Sequence, residues 1–581
     1  MEGIAAVRTK YDRGVCSVRI AELTLRHFRS YKDETIPLRQ LTALIGKNNA
    51  GKSHILRAVK LLLSGSKSDG GPADILHGYA GEAEIEAKLE GISRFLRLSS
   101  DNHRAKIEKC VEGDSIRIRR KISAVDGLDK LEIWLPEEGK FATPTGIDAG
   151  LRQILPQVVY IEAFQDPTQD ALGKPSATLG KLLRLITSDI AEATQDEIAA
   201  ALATAARGLN VGEDGTDERI PDLRAVEEAI RSAVAAVFSD VGVRIKFDMP
   251  SLGEVFAKGH VLLFEGGVWT DASGKGQGLQ RILGLALLQV LADVTARRAG
   301  EGGLVRPTCF LVEEPELCLH PSAVRLQRSA LERISEVHQV IFTTHSPLMI
   351  SPQRIDSVVL VRKRDAGSAR LSACTPVART LRLRERKLID LLGWQSSSEF
   401  LFCSKALVVE GISDEYCVQA ILHQLTGKGS EDHDIAVVQA RDKQSVPEVT
   451  AALREMGIDA LGIVDLDFAW NGAGRLCADD RRLSGVIGKL AGSLGKEQRN
   501  NPAQAAKVIE EHVAAEFQLL HEACRERGIW ILKKGEIENY VGLSKSTKSQ
   551  WFERAQEIRD GTEPVRHPDE WRELFRLMSI L

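Results

Sequence analysis

The chain has no run of about 18 uncharged apolar residues, so no membrane-spanning helix is expected. Its opening stretch, MEGIAAVRTKYDRG, lacks the apolar core and small-residue cleavage site of a secretory leader. A cytoplasmic protein without membrane contact is the expectation. Nine cysteines (Cys16, Cys110, Cys309, Cys318, Cys374, Cys403, Cys417, Cys477 and Cys524) are scattered with no CxxC pair. That argues against a zinc ribbon and against a disulfide framework. A strong charge of either sign is also missing. Lysine and arginine number 77 against 81 acidic residues, a net charge of −4. This excludes a histone-like polybasic protein and an acidic disordered one, but not a local patch for nucleic acid.

What is present is ordinary globular composition at considerable length. The 581 residues are 43% hydrophobic and 27% charged, and at roughly 150 residues per domain they suggest about four folding units. SVRIAELTLRHF reads as a strand, FRSYKDETIPL as its hairpin return, and LTALIG as a short buried strand before the helix GKSHILRAVKLLL. Alternation in GEAEIEAKLE and DSIRIRRKI predicts further strands. From Ser176 to about Asp240 the pattern turns helical and Ala-rich, with Val226, Ile230, Val234, Val237 and Phe238 at helical spacing. Strand signals resume in TCFLVEEPE and HQVIFTTHS, and a new α/β pattern opens at KALVVEGISDEYCVQAIL. The expected boundaries are a first α/β part over 1–175, a helical insertion over 176–242 serving dimerisation, a second part of the same α/β unit over 243–375, a basic linker over 376–400, and a last α/β domain over 401–581.

Gly46-Lys47-Asn48-Asn49-Ala50-Gly51-Lys52-Ser53 fits GxxxxGK[ST] between a strand and a helix. Glycines let backbone N–H groups close around phosphate oxygens, and the helix N-terminus adds positive potential. Lys52 is placed to reach the β- and γ-phosphates of ATP and Ser53 to bind Mg²⁺. The second half-site should be an acidic residue ending a buried strand. CFLVEEPELCLHP supplies Glu313 for the Mg²⁺ shell and Glu314 to polarise the attacking water. QVIFTTHSP then offers His345 as a sensor of the γ-phosphate.

Together these residues resemble the ATP-binding-cassette ATPases of the structural-maintenance, recombination and repair type. The resemblance rests on the Walker A motif, the EEPE…LHP form of Walker B, and the TTHSP switch histidine. It implies an α/β fold with an ABC-type, SMC-like P-loop ATPase head, and two heads sandwiching ATP in a homodimer. It also implies a signature loop, best matched by Gly274-Lys275-Gly276-Gln277-Gly278, and a Q-loop glutamine, best matched by Gln165 in YIEAFQDP. The signature departs from the family, since Ser273 precedes it without the usual Ser-Gly-Gly order. Between Ser53 and Cys309 no sustained heptads occur, so long coiled-coil arms are excluded.

In the second half, Glu410 ends the apolar strand Ala406–Val409 and Asp414 opens a helix. Asp465 and Asp467 end another buried run, and their i, i+2 spacing is expected to point both carboxylates to one face of a strand. Carboxylates converging from strand ends suit a hard cation such as Mg²⁺ or Mn²⁺. EGxxD followed by DxD resembles the Toprim domain of topoisomerases, primases and some nucleases, a Rossmann-like fold. No tyrosyl-transfer module is evident and the cysteine spacing excludes a primase zinc domain, which leaves nuclease chemistry.

An ATPase head followed by Toprim resembles the OLD (overcoming lysogenisation defect) family of nucleases, which includes the nuclease subunit of the Gabija anti-phage system. The resemblance implies a two-metal site completed by Glu536 and Glu538 of LKKGEIENY, with Lys533 or Lys534 stabilising the phosphate. It implies DNA as substrate, ATP control, a homodimer or higher homo-oligomer, a role in prokaryotic defence and, in some members, a UvrD-like helicase partner. A basic stretch between the halves (Arg362, Lys363, Arg364, Arg370, Arg379, Arg382, Arg384, Arg386 and Lys387) is either a phosphate-backbone track or a solvated face. The competing function is a nucleotide-sensing scaffold that holds or releases a partner protein.

Overall fold

The computed structural model describes residues 18–93, 96, 107–143, 154–161, 192–211, 216–235, 262–265, 267–271, 279, 283, 286, 307–366, 369–377, 399–543 and 548–581. Chain contacts divide it into two compact units. One holds Val159–Phe310 and Leu317–His338; the other holds Val18–Val158, Leu311–Glu316 and Gln339–Leu581. The larger unit thus takes in both the P-loop and the C-terminal α/β region, which the sequence pattern had divided at 376–400.

In that larger unit the chain opens on an antiparallel hairpin, β1 (Arg19–Phe28) and β2 (Tyr31–Pro37). Leu23 and Leu25 of β1 are buried while Glu22 faces out, the period-two pattern of a half-covered sheet. β3 (Leu41–Ile45) is buried throughout and feeds the P-loop and α1 (Lys52–Ser64), whose Ile55, Leu56, Val59 and Leu62 form one buried stripe. β4 (Ala83–Glu90), β5 (Ser115–Ser123), β6 (Gly127–Leu128), β7 (Glu132–Leu135) and β8 (Lys140–Ala142) extend the first sheet in the order β2-β1-β4-β5-β7-β8, with β6 on β5. β9 (Gln157–Ile161) belongs to a second sheet.

The smaller unit contains helices α2 (Glu192–Leu209) and α3 (Pro221–Ala235), the described part of the Ala-rich block. Val226 on α3 is exposed, while Val237 and Phe238 lie outside the described residues. A hairpin of β10 (Leu262–Glu265) and β11 (Val268–Asp271) follows.

β12 (Thr308–Glu313), α4 (Pro321–Ile334), β13 (Gln339–Thr344), β14 (Val358–Ala366) and β15 (Ala369–Pro376) come next. The second sheet runs β15-β14-β3-β13-β12-β9, and β3 is parallel to both β13 and β14. Part of the basic stretch between the halves is therefore sheet. Arg362, Lys363 and Arg364 continue β14 beyond its buried Val358–Val361 half, and Arg370 is on β15. Apolar pairing against β3 starts the strand, and the basic residues prolong it as an edge hairpin. The other basic residues, from Arg379 to Lys387, lie outside the described residues.

The C-terminal region is a parallel sheet covered by helices. β16 (Lys405–Val409), α5 (Ile412–Thr426), β17 (Ile435–Gln439), α6 (Val446–Glu455) and β18 (Asp459–Val464) alternate regularly. Helices α7 (Arg481–Ser493), α8 (Pro502–His512) and α9 (Ala514–Glu526) then lead to β19 (Ile529–Ile531). α10 (Ile537–Val541), α11 (Lys548–Arg559) and α12 (Pro568–Leu577) close the region. The order β17-β16-β18-β19 is parallel throughout and reverses direction between β16 and β18. In open α/β sheets that switch point, at the carboxyl ends of the strands, is where ligands bind. One face is filled by Leu407, Val409, Cys417, Ile421, Trp530 and Leu532 together with Trp551, Trp571 and Phe575 from the last two helices.

Trp571 is fully buried and meets Tyr540 edge-on with ring centroids 5.7 Å apart. Truncating such a ring leaves a cavity costing about 3–5 kcal/mol. Trp571→Ala should lower unfolding stability by that amount in denaturant titrations, and a loss under about 1 kcal/mol would show that α12 is not part of the core.

Candidate functional site

The P-loop lies where β3 hands over to α1, and two features of its backbone demand glycine. Gly46 has φ +150° and a Cβ there would sit 2.1 Å from the Val361 carbonyl oxygen of β14; Gly51 has φ +113°. Buried Lys52 donates from Nζ to the Gly46 carbonyl (2.9 Å) and the Lys47 carbonyl (3.0 Å), and lies 2.8 Å from His345 Nε2. Burial lowers Lys52 to about 8, against the pull of Glu314 and Glu316. Burial, and then Lys52 itself, lowers His345 as well. Asn48, Asn49 and Ser53 are exposed around the loop.

Glu313 ends β12, and Glu314 follows in a left-handed conformation (φ +41°), its Oε1 3.6 Å from His345 Nε2. The structure thus brings Lys52, Glu314 and His345 together. It adds Glu316, which sequence reasoning passed over. Glu316 Oε1 accepts from the His345 N–H (2.7 Å) and the Thr344 hydroxyl (2.8 Å), so it fixes the backbone that carries His345. The repeated acidic residue in EEPE was the available signal. Gln165 and Gly276 lie outside the described residues.

The second cluster sits at the sheet switch point. Glu410 directly follows β16 and Asp465 directly follows β18. The DxD pair does not lie along one face of a strand as its spacing suggests. β18 ends at Val464, and Asp467 caps a single helical turn, Phe468–Asn471, so the two carboxylates are set by a turn and not by the pleat of a strand. Asp465 Oδ1 accepts the Ile537 N–H (3.2 Å), which ties it to the segment of Glu536 and Glu538. Asp414 accepts the Gly411 N–H (3.1 Å) at the start of α5, and Glu536 is the N-cap of α10.

Electrostatics shows these groups crowding one another. Asp465 is pushed well above the ordinary carboxylate value by burial and then by Asp414, Glu538, Glu536 and Glu410. Burial and neighbouring Glu410 and Glu538 push Asp414 up to about 6, against the Gly411 N–H. Glu410 is raised mainly by burial. Lys443, which the sequence reading missed, donates to Asp467. Burial works against its charge, but Asp467, Glu410 and Asp465 hold the ammonium above lysine's ordinary value. Its motif, RDKQS in a loop after β17, carries no spacing signal. Lys533 and Lys534 are engaged elsewhere, with Glu573 and Glu510, each at 2.9 Å.

Among the described residues no three His, Cys, Asp or Glu side chains are grouped closely enough to hold a metal ion as they stand. The donor chemistry nevertheless fits a hard divalent cation. It consists of carboxylate oxygens, and Asp467 Oδ1 is buried with no hydrogen-bond partner among the described residues. A cation bound there would satisfy that oxygen and offset the repulsion of the neighbouring carboxylates.

A P-loop ATPase sheet and a parallel α/β domain with an acidic switch point define the class, an ATPase joined to a Toprim domain. The comparisons agree. A family profile described as AAA ATPase domain matches residues 19–125 and 164–350, just over half of the chain, and the chain belongs to that family. A profile described as overcoming lysogenization defect protein-like, TOPRIM domain, matches residues 401–467, and the pairing of the two is that of the OLD family. The chain is similar to the Old nuclease of Escherichia phage P2, 27% identical over 580 residues covering 95% of this chain and 97% of that protein. It is also similar to the OLD nuclease of Thermus scotoductus, 22% identical over 463 residues covering 77% and 82%. Among solved structures, an SMC head bound to the C-winged helix domain of ScpA overlaps 62% of this chain and 99% of its own, with 18% identity and a TM-score of 0.37.

The raised Asp414 has a consequence for stability without metal. The unfolded chain releases this proton near the ordinary aspartate value and the folded chain near 6, so the contribution to stability is present at low pH and lost as pH rises through 6. In EDTA, wild type measured against Asp414→Asn should lose roughly 2–3 kcal/mol between pH 4 and pH 7. A difference that stays flat with pH would contradict the crowding.

Proposed function

We propose that the protein is an ATP-regulated, divalent-metal-dependent DNA endonuclease. The observation that carries this reading is the acidic cluster at the switch point between β16 and β18, in the same compact unit as the P-loop. The similarity to two proteins named as OLD nucleases supports it. Two divalent ions, Mg²⁺ or Mn²⁺, would supply an activated water and offset charge on the leaving 3′-oxygen. Glu410, Asp414, Asp465 and Asp467 would hold them, with Glu536 and Glu538 completing the set. Lys443 reaches the same carboxylates and is the lysine best placed to face a phosphodiester; Lys533 or Lys534 would act only after leaving Glu573 or Glu510.

At the other site, Lys52 and Ser53 hold the nucleotide and its Mg²⁺, Glu313 and Glu314 serve the ion and the water, and His345 reads the γ-phosphate. Gln165 and Gly276 are the proposed Q-loop and signature contacts. Pairing of two heads across ATP makes a homodimer or larger assembly, with the Ala-rich helices as a contact element. A cytoplasmic anti-phage role, in some settings beside a UvrD-like helicase, completes the reading.

Supercoiled plasmid incubated with Mg²⁺ or Mn²⁺, with and without ATP, tests it. Nicking or linearisation should require the metal and change with ATP. Asp465→Ala should reduce cleavage at least ~10²-fold while leaving ATP binding intact. Full cleavage in that variant would remove the site assignment, and no cleavage by wild type under any condition would favour a nucleotide-sensing scaffold.

A further inference from the structure

The parallel sheet β17-β16-β18 has two edges, and only its carboxyl edge carries the acidic cluster. Its amino edge is held by the ATPase sheet. Arg362, the first residue of β14 beyond the strand's buried half, donates to the carbonyls of Gly457 (2.5 Å), Cys403 (3.1 Å) and Leu401 (3.5 Å). These carbonyls lie just before β18 and β16. Preceding β17 is Asp434, whose carboxylate accepts from the Ser404 N–H (3.1 Å), from the Ser404 hydroxyl, and from Lys47 Nζ. The Ser404 carbonyl in turn accepts the Asp459 N–H (3.0 Å). Ser404, Asp434 and Asp459 therefore stitch the first residues of three strands together, and the P-loop reaches that stitch through Lys47.

Lys47 is also tied to the nucleotide-binding lysine. Its carbonyl accepts from Lys52 Nζ, and Gly46, just before it, packs on Val361, the neighbour of Arg362. Phosphates entering the loop compete for Lys52 and withdraw it from the Lys47 carbonyl. The same polyanion draws the Lys47 ammonium away from Asp434. We propose that nucleotide binding is transmitted to the nuclease centre by release of the Lys47–Asp434 pair, while Arg362 stays as the fixed anchor. The two contacts suit those tasks. The Lys47–Asp434 pair has side-chain exposures of 61% and 36%, the setting in which an ion pair is worth little and exchanges easily. Arg362 grips backbone on two segments. Strands of five residues span about 16 Å as stiff rods, so a shift at Ser404 and Asp434 arrives at Glu410 and the loop of Lys443.

The proposal rests on the reading of an ATP-regulated nuclease, and its test separates the two. Hydrogen exchange of the full-length protein is followed with and without a non-hydrolysable ATP analogue and Mg²⁺. In wild type, exchange of the Ser404 amide, bonded to Asp434, should quicken several-fold on nucleotide binding. Asp434→Asn tolerates the left-handed φ of +56° at this position. It should bind the analogue within about twofold of wild type and show no nucleotide response at Ser404. Lys47→Gln should lose the same response. An unchanged Ser404 amide in wild type, or a response kept in Asp434→Asn, would overturn the proposal. If Ser404 responds as proposed but plasmid cleavage is the same with and without ATP, the coupling stands and nucleotide control of cleavage falls.

Discussion

Mutual repulsion among carboxylates at the carboxyl edge of a parallel sheet is the constraint around which the C-terminal half is built. Asp465 sits among Asp414, Glu410, Glu536 and Glu538, each of which makes its ionisation harder. A chain folds into such an arrangement only if the surrounding contacts hold the groups in place. Here the Gly411 N–H takes Asp414, the Ile537 N–H takes Asp465 and Lys443 takes Asp467. Behind them, a core of Trp530, Trp551, Trp571 and Phe575 fixes the segments that carry the charges. The free energy stored as repulsion is what a divalent cation offsets on binding.

Opposite edges of that sheet face different tasks. One presents acidic groups at the topological switch point; the other is stitched by Ser404, Asp434 and Asp459 and gripped by Arg362. A stiff sheet with its ends used this way converts a local rearrangement of the P-loop into displacement of the strands that bear Glu410 and Asp465. The P-loop in turn is braced from both sides. Tyr31 donates to the Gly51 carbonyl (3.0 Å) and Ser372 of β15 to the Ala50 carbonyl (2.5 Å), so the loop is coupled to β2 and β15 as well as to Asp434.

Much of this was legible because both candidate sites follow buried strands, and buried strands are a strong short-range signal in a sequence. LTALIG before the P-loop, CFLV before Glu313, ALVV before Glu410 and LGIV before Asp465 announce their strand ends by apolar runs. What stayed hidden depends on contacts distant along the chain. Glu316 looks like one more acidic residue until its carboxylate is seen beneath the His345 amide. Lys443 lies in a loop without a motif, and Asp434 pairs with a residue 387 positions away. The DxD geometry departs from its strand-like spacing for a local reason, since Leu466 and Asp467 turn off the strand into a helical turn after Val464. Likewise, Arg362, Lys363 and Arg364 give no strand signal in the sequence, because charge masks strand propensity once one face is solvated.

The most direct test of the account is calorimetric titration of Mn²⁺ into metal-free protein near pH 6, in buffers of different ionisation enthalpy. Carboxylates raised by burial and by one another must give up protons when a cation takes their charge, so binding is expected with net proton release that Asp465→Asn and Asp414→Asn each reduce. Binding without proton release, or no binding at all, would contradict a crowded acidic centre that binds a divalent cation.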